Sequence, residues 1–276
     1  TYCSGADGYE RLANLRDLSN IGGTRELRIG KFRNYEAPTI FYRSGFLYNG
    51  FCLWPNFGQY SIHIPNGWHI ATYSDILAII KYYESANNFL SNTVAKYLRC
   101  TYNPSDVLPS FTYKPVWGVG VTKYDSDGFK LLATGISFIN FDEEPPILTW
   151  SSIGSSMNMW VDDTYGANTY PAIQVTDSSD ILAAITLGFT GTPESYNGRN
   201  YYCNIRLVKD DSVNTGFVED INGNVYKTVK IGDIVITSEN IRTTKNSNGG
   251  DISEATLSTP IDTEPAFLRS IIYDIP

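Results

Sequence analysis

Residues 65–83, PNGWHIATYSDILAIIKYY, constrain the fold more than any other stretch. Thr72 and Asp75 stand in the S/T-x-x-acid relation of a helix N-terminal cap, where each side chain satisfies a first-turn amide of the other residue. Ile76, Leu77, Ile79, Ile80 and Tyr83 follow at helical spacing, so the segment predicts a helix with one apolar face. Two other stretches have helical character. One is 9–20, where Leu12, Leu15 and Leu18 recur at three-residue intervals before Ile21-Gly22-Gly23; the other runs roughly over 89–98. Most of what remains reads as short strands: ELRIGKF, TIFYR and GFLYNGFCLW early on, then FKLLATGISFI, PILTWSSI, AAITLGF and YYCNIRLVK. Pro and Gly at Pro104, Pro109, Pro115, Gly118 and Gly120 punctuate the loops between them. Helices set among short strands predict an α+β fold with small antiparallel sheets.

The chain has 276 residues, enough for one large domain or a medium domain with a smaller one, and enough to bury a core without covalent staples. With 20 Tyr, 13 Phe and 5 Trp it carries ample apolar surface, which excludes disorder. A net charge of −8 argues against a nucleic-acid groove built on bulk positive charge. No apolar run approaches the ~18 residues that a membrane-spanning helix needs. Only 18% of residues are charged while 14% are aromatic, the chemistry of a contact surface more than of a catalytic cleft.

Candidate chemistry is sparse. Cys3, Cys52, Cys100 and Cys203 are scattered without a C-x-x-C pair, and only His63 and His69 could supplement them, so no zinc set is expected and no cofactor is implied. Disulfides and buried thiols both fit the spacing. His69 reads as a hydrogen-bonded residue at the start of a helix, because no nucleophile or acid stands at a telling distance in the sequence. Ser151-Ser152 lacks the G-x-S-x-G frame of a nucleophile elbow. Arg206 alternates with apolar neighbours; facing inward it must be paired, which predicts a structural ion pair. Asp142, Glu143 and Glu144 read as a solvated loop, as do Asp162 and Asp163. Asp125-Ser-Asp127-Gly128 reads as a turn, since Thr134 stands where a calcium loop needs Glu. The chain is expected not to be an enzyme.

A polar stretch at 209–216, KDDSVNTG, marks a boundary. Beyond it Asn222-Gly223 signals a hairpin, and Val225, Lys227, Val229 and Ile231 alternate as in a strand. Residues 243–253 read as loop, and Ile271, Ile272 and Tyr273 as a final strand. RELRIGK at 25–31 weakly echoes KTVKIGD at 227–233.

Five segments in order bring a family into view: GFLYNGF (45–51), PNGWHIATYSDILAIIKYY (65–83), DGFKLLATG (127–135), TWSSI (149–153) and CNIRLVKD (203–210). They resemble landmarks of the Fibrobacter succinogenes major paralogous domain, and EDINGNVYKTVKIGDIVITSENIRTTK (219–245) is similar to that domain's opening. The resemblance covers about two thirds of the chain and implies a C-type-lectin-like fold. Where the family often carries two cysteines this sequence has Ile64 and Leu207, which implies an apolar contact in place of a disulfide. Lectin-type calcium–sugar triplets are missing at Glu144-Pro145-Pro146 and Trp150-Ser151-Ser152, and only Cys203 lies where formylglycine-generating relatives hold copper with two cysteines. The domain's opening lies here after its closing strand. Two arrangements fit: a complete module using RELRIGKFRN as its opening, followed by a truncated second module, or a tail that folds back onto the first module. The expected organisation is an N-terminal helical segment (1–25), a lectin-like domain (26–211) and a β-rich appendage (217–276).

Contact residues concentrate between 154 and 202. Trp160, Tyr165, Asn168, Tyr170, Tyr196, Asn197, Arg199, Asn200 and Tyr201 are the expected ligand face, because loops before the closing strand form the variable face in lectin-like folds. The expected role is non-catalytic recognition or adhesion at a cell or virion surface, with a glycan or protein receptor, or neighbouring subunits, as partner. Homo-oligomers are expected; nucleic acid, metal and membrane insertion are not. The alternative is a phage structural protein of capsid, tail or fibre whose lectin-like domain serves assembly or attachment. The resemblance points to Bacteroidetes-type bacteria or their phages.

Overall fold

The computed structural model describes residues 45–53, 60–87, 93–101, 117–118, 120–125, 127–140, 143–162, 170–179, 183–187, 201–255 and 265–269. The expected N-terminal helix, the RELRIGK segment, Cys3 and the strand expected at Ile271–Tyr273 lie outside them. Fourteen short strands and two helices are present among the described residues, an α+β arrangement dominated by β structure.

The helix predicted from the capping signal is α1, Tyr73–Asn87. Its cap is reciprocal: the Asp75 amide donates to Thr72 Oγ1 at 3.2 Å and the Thr72 amide to Asp75 Oδ2 at 2.8 Å. Ile76, Ile79 and Tyr83 form its buried face. A second helix, α2 (Ala95–Leu98), is a single turn.

The strands form three sheets. The first contains β1 (Phe46–Asn49), β3 (Ile136–Asn140), β4 (Ile147–Ser151), β8 (Tyr201–Cys203), β13 (Ser253–Glu254) and β14 (Ala266–Arg269), in the order β13-β14-β1-β8-β3-β4. The second contains β2 (Trp68–Ile70), β9 (Leu207–Lys209), β10 (Phe217–Glu219), β11 (Val225–Ile231) and β12 (Ile234–Thr237), in the order β10-β11-β12-β9-β2. The third is the antiparallel meander β5 (Ser156–Trp160), β6 (Tyr170–Thr176) and β7 (Ala183–Leu187).

Residues 217–276, expected as an appendage, supply strands to two of these sheets. β14 lies antiparallel to β1, with Leu47 opposite Leu268, and β12 pairs with β9 at Ile236 and Val208. The tail is thus laid into the sheets of the preceding residues. Gly45 shows how closely: with φ at +61°, a Cβ there would stand 2.6 Å from the Asn240 and Ile241 carbonyl oxygens. The turn before β11 is knotted by Asp220, whose carboxylate accepts from the Asn222 and Asn224 amides at 2.9 Å and the Tyr226 hydroxyl at 2.5 Å. That bonding explains the spacing of DINGNVY, since a buried carboxylate needs several donors.

Strands β5 and β6 were not legible as strands. All five residues of β5, Ser156 to Trp160, are buried, so no polar alternation marks it. Met157 and Met159 enter the same apolar cluster as Ile76, Ile79, Val208 and Ile236, and Trp160 joins another with Tyr48, Tyr226 and Phe267. Ile64 packs against that second cluster, which also contains Leu207.

Arg206 faces inward and is paired. It is fully buried, and four of its contacts are neutral oxygens: the carbonyls of Phe129 at 2.5 Å, Thr237 at 3.0 Å and Lys130 at 3.1 Å, and Asn240 Oδ1 at 3.0 Å. The guanidinium also lies 4.5 Å from the Phe129 ring centroid. Lys130 sits at φ 53°, a left-handed conformation that L residues other than Asn and Asp seldom adopt, where its carbonyl and that of Phe129 both reach the guanidinium.

Because β10 to β14 belong to shared sheets, a chain ending at Gly216 is expected to show no cooperative thermal transition and a collapsed near-ultraviolet aromatic signal. A truncated chain that melts like the full protein would contradict this topology.

Candidate functional site

The register of the three-stranded sheet fixes the geometry of the expected ligand face. Trp160 pairs with Ala172, and Tyr170 with Leu187. The end of β5, the start of β6 and the end of β7 therefore share one edge of that sheet. Two connections leave this edge: the one reaching Tyr170, which includes Tyr165 and Asn168, and the one from β7 to Tyr201, which includes Tyr196, Asn197, Arg199 and Asn200. Those six residues lie outside the described residues; their anchoring strand ends do not. Tyr170 is the first residue of β6.

Trp160 does not face a ligand. It is fully buried, and its Nε1 donates to the Tyr48 carbonyl at 2.7 Å across to β1. An indole buried with its N–H satisfied is a packing element. Tyr201, by contrast, is half-buried at the start of β8, 6.1 Å from the Phe138 ring. Phe138 pairs with both Tyr201 and Thr149, and all three are half-buried, forming a row across β8, β3 and β4. Sequence reasoning missed Phe138, although the alternation in ISFIN places it opposite the buried Ile139.

His69 lies between two carboxylates. Its Nδ1 lies 2.7 Å from Asp210 Oδ1 and its Nε2 3.1 Å from Asp75 Oδ2. With a carboxylate at each nitrogen, both nitrogens donate and the ring is an imidazolium. The bond to Asp75 raises its pKa most; burial opposes it, the bond to Asp210 adds to it, and the result is about 9. Burial disfavours the Asp75 carboxylate, but bonds from His69 and Thr72 outweigh it and hold its pKa below the ordinary range. A cation with both ring protons committed is no general base at neutral pH. It clamps the helix start to the end of β9.

Cys52, Cys100 and Cys203 are buried free thiols. Burial pushes the Cys52 and Cys203 pKa values up, keeping both neutral and poorly nucleophilic. Among the described residues no group of three His, Cys, Asp or Glu side chains could hold a metal ion, and no helix is long and apolar enough to cross a membrane. Comparison with protein-family models, with curated proteins and with solved structures finds no match.

The clamp has a pH signature. Because the folded-state pKa of His69 is raised, its stabilisation is complete below about pH 6.5 and is lost as pH rises through about 9. The loss is on the order of 1 kcal/mol, since a third of the imidazole is in water and screens the pair. Urea midpoints of wild type and His69→Gln should converge across that range; a constant gap between them would contradict the clamp.

Proposed function

We propose that the protein is a non-catalytic recognition protein with a C-type-lectin-like scaffold, binding a glycan or a protein at a cell or virion surface. The observation that carries this reading is the common origin of the two Tyr- and Asn-rich connections at one end of the β5–β6–β7 sheet. A rigid sheet that launches two such segments side by side is suited to a single binding face, and Tyr offers broad contact at small entropic cost. The role of His69, Asp75, Asp210 and Arg206 as internal ties supports a binding role over catalysis. The family resemblance of the landmark segments supports the scaffold type.

A second reading, a phage structural protein in which the same domain serves assembly or attachment, is favoured by the three buried free thiols. Chains assembled in a reducing cytoplasm keep thiols, whereas secreted adhesins more often pair them.

The test combines Tyr165→Ser, Tyr196→Ser and Asn200→Ala, and measures binding to a glycan array and to intact Bacteroidetes-type cells. Loss of about tenfold or more with an unchanged melting temperature is expected, since anchoring aromatics dominate such faces. Undiminished binding would contradict the assignment.

A further inference from the structure

A second surface, away from the β5–β6–β7 edge, has the features of a small binding site. The segment 121–125 belongs to no sheet, yet three successive residues are tied down. The Thr122 carbonyl accepts from Arg99 at 3.0 Å, Lys123 Nζ donates to the Trp117 carbonyl at 3.3 Å, and the Tyr124 amide donates to the Lys96 carbonyl at 2.8 Å. Exposure alternates along it: Thr122 and Tyr124 are exposed, while Val121, Lys123 and Asp125 are half-buried. Tyr124 is 52% exposed, yet its ring is backed by Tyr97 at 5.0 Å. Tyr97 stacks in turn on Tyr83 at 5.8 Å, and the buried Tyr83 is anchored through its hydroxyl to Asp127 at 2.5 Å. The exposed ring is thus the outer rung of a fixed aromatic ladder. A ring immobilised in advance loses little entropy when it binds.

We infer that Tyr124 and Thr122 form a subsite for one uncharged sugar ring, stacked on the phenol face and hydrogen-bonded by the threonine hydroxyl. The aliphatic C–H bonds of a pyranose carry partial positive charge and suit the electron-rich face of a phenol. A single braced ring beside a hydroxyl matches a sugar better than a protein, which needs a larger contiguous apolar patch. The inference rests on the recognition reading for its ligand class but on different residues for its place.

The test is saturation-transfer-difference NMR with the full chain and a panel of neutral hexose oligosaccharides at millimolar concentration. Transfer to the sugar ring protons is expected for wild type and for Tyr124→Phe, with loss of about tenfold or more in affinity for Tyr124→Ala. The Tyr165/Tyr196/Asn200 variant should retain the Tyr124-dependent signal. No transfer to any panel member overturns the inference, as does Tyr124→Ala binding like wild type. Tyr124-dependent binding of unglycosylated peptides instead of sugars also overturns it. If the loop variant loses sugar binding while Tyr124→Ala keeps it, the recognition reading stands and this inference fails.

Discussion

One stretch of backbone, Tyr201 to Lys209, touches all three sheets, and the rest of the molecule is arranged around it. Its first residues are β8, paired with β1 and β3 in the six-stranded sheet; its last are β9, paired with β2 and β12 in the five-stranded one. Between them Asn204 bridges to the three-stranded sheet: its amide donates to the Asn158 carbonyl at 3.0 Å, and its carbonyl accepts from Trp160 at 2.9 Å. Its side chain accepts from Thr134 and donates to the Phe46 carbonyl at 3.2 Å. A chain passing from one sheet to another must expose backbone groups at the crossing, and buried ones must find partners. Asn204 and Arg206 supply them.

The polar burial also fixes irregular backbone. Arg206 draws in the Phe129, Lys130 and Thr237 carbonyls, and Arg99 those of Thr122 and Thr176, so two irregular stretches are fixed from inside by guanidinium groups. Each guanidinium presents five donors in a planar fork, which suits it to gathering several carbonyls at once. His69 does similar work at the surface, joining the start of α1 to the end of β9.

What the sequence made legible follows from how local each signal is. The Thr72–Asp75 cap and the apolar face of α1 depend on neighbours three and four residues away, and both were readable. The Asn222-Gly223 turn that joins β10 to β11, and β11 as a strand, were also readable. By contrast β5 is buried throughout, which erases the alternation that marks a half-buried strand, and Trp160 therefore looked like contact surface when it is core. That an inward-facing Arg206 must be paired was legible, but its partner carbonyls at Phe129 and Thr237 sit 77 and 31 residues away, beyond any local pattern. A still longer separation, 223 residues between Phe46 and Arg269, hid the pairing of β1 with β14. The Tyr83–Tyr97–Tyr124 ladder was also invisible, because its rungs come from α1, α2 and an irregular segment that meet only in three dimensions.

Native-state hydrogen exchange at the crossing tests this account most directly. The relevant amides are Asn204 and Trp160 toward the three-stranded sheet, Ile241 bonded to the Ile205 carbonyl at 3.0 Å, and Ala71 bonded to the Arg206 carbonyl at 3.0 Å. If this stretch unites the sheets, all four exchange only through global unfolding, with the same free energy and the same denaturant dependence. Exchange of the Ile241 and Ala71 amides at much lower free energy, while Asn204 and Trp160 stay protected, would mean the sheets open separately and would contradict it.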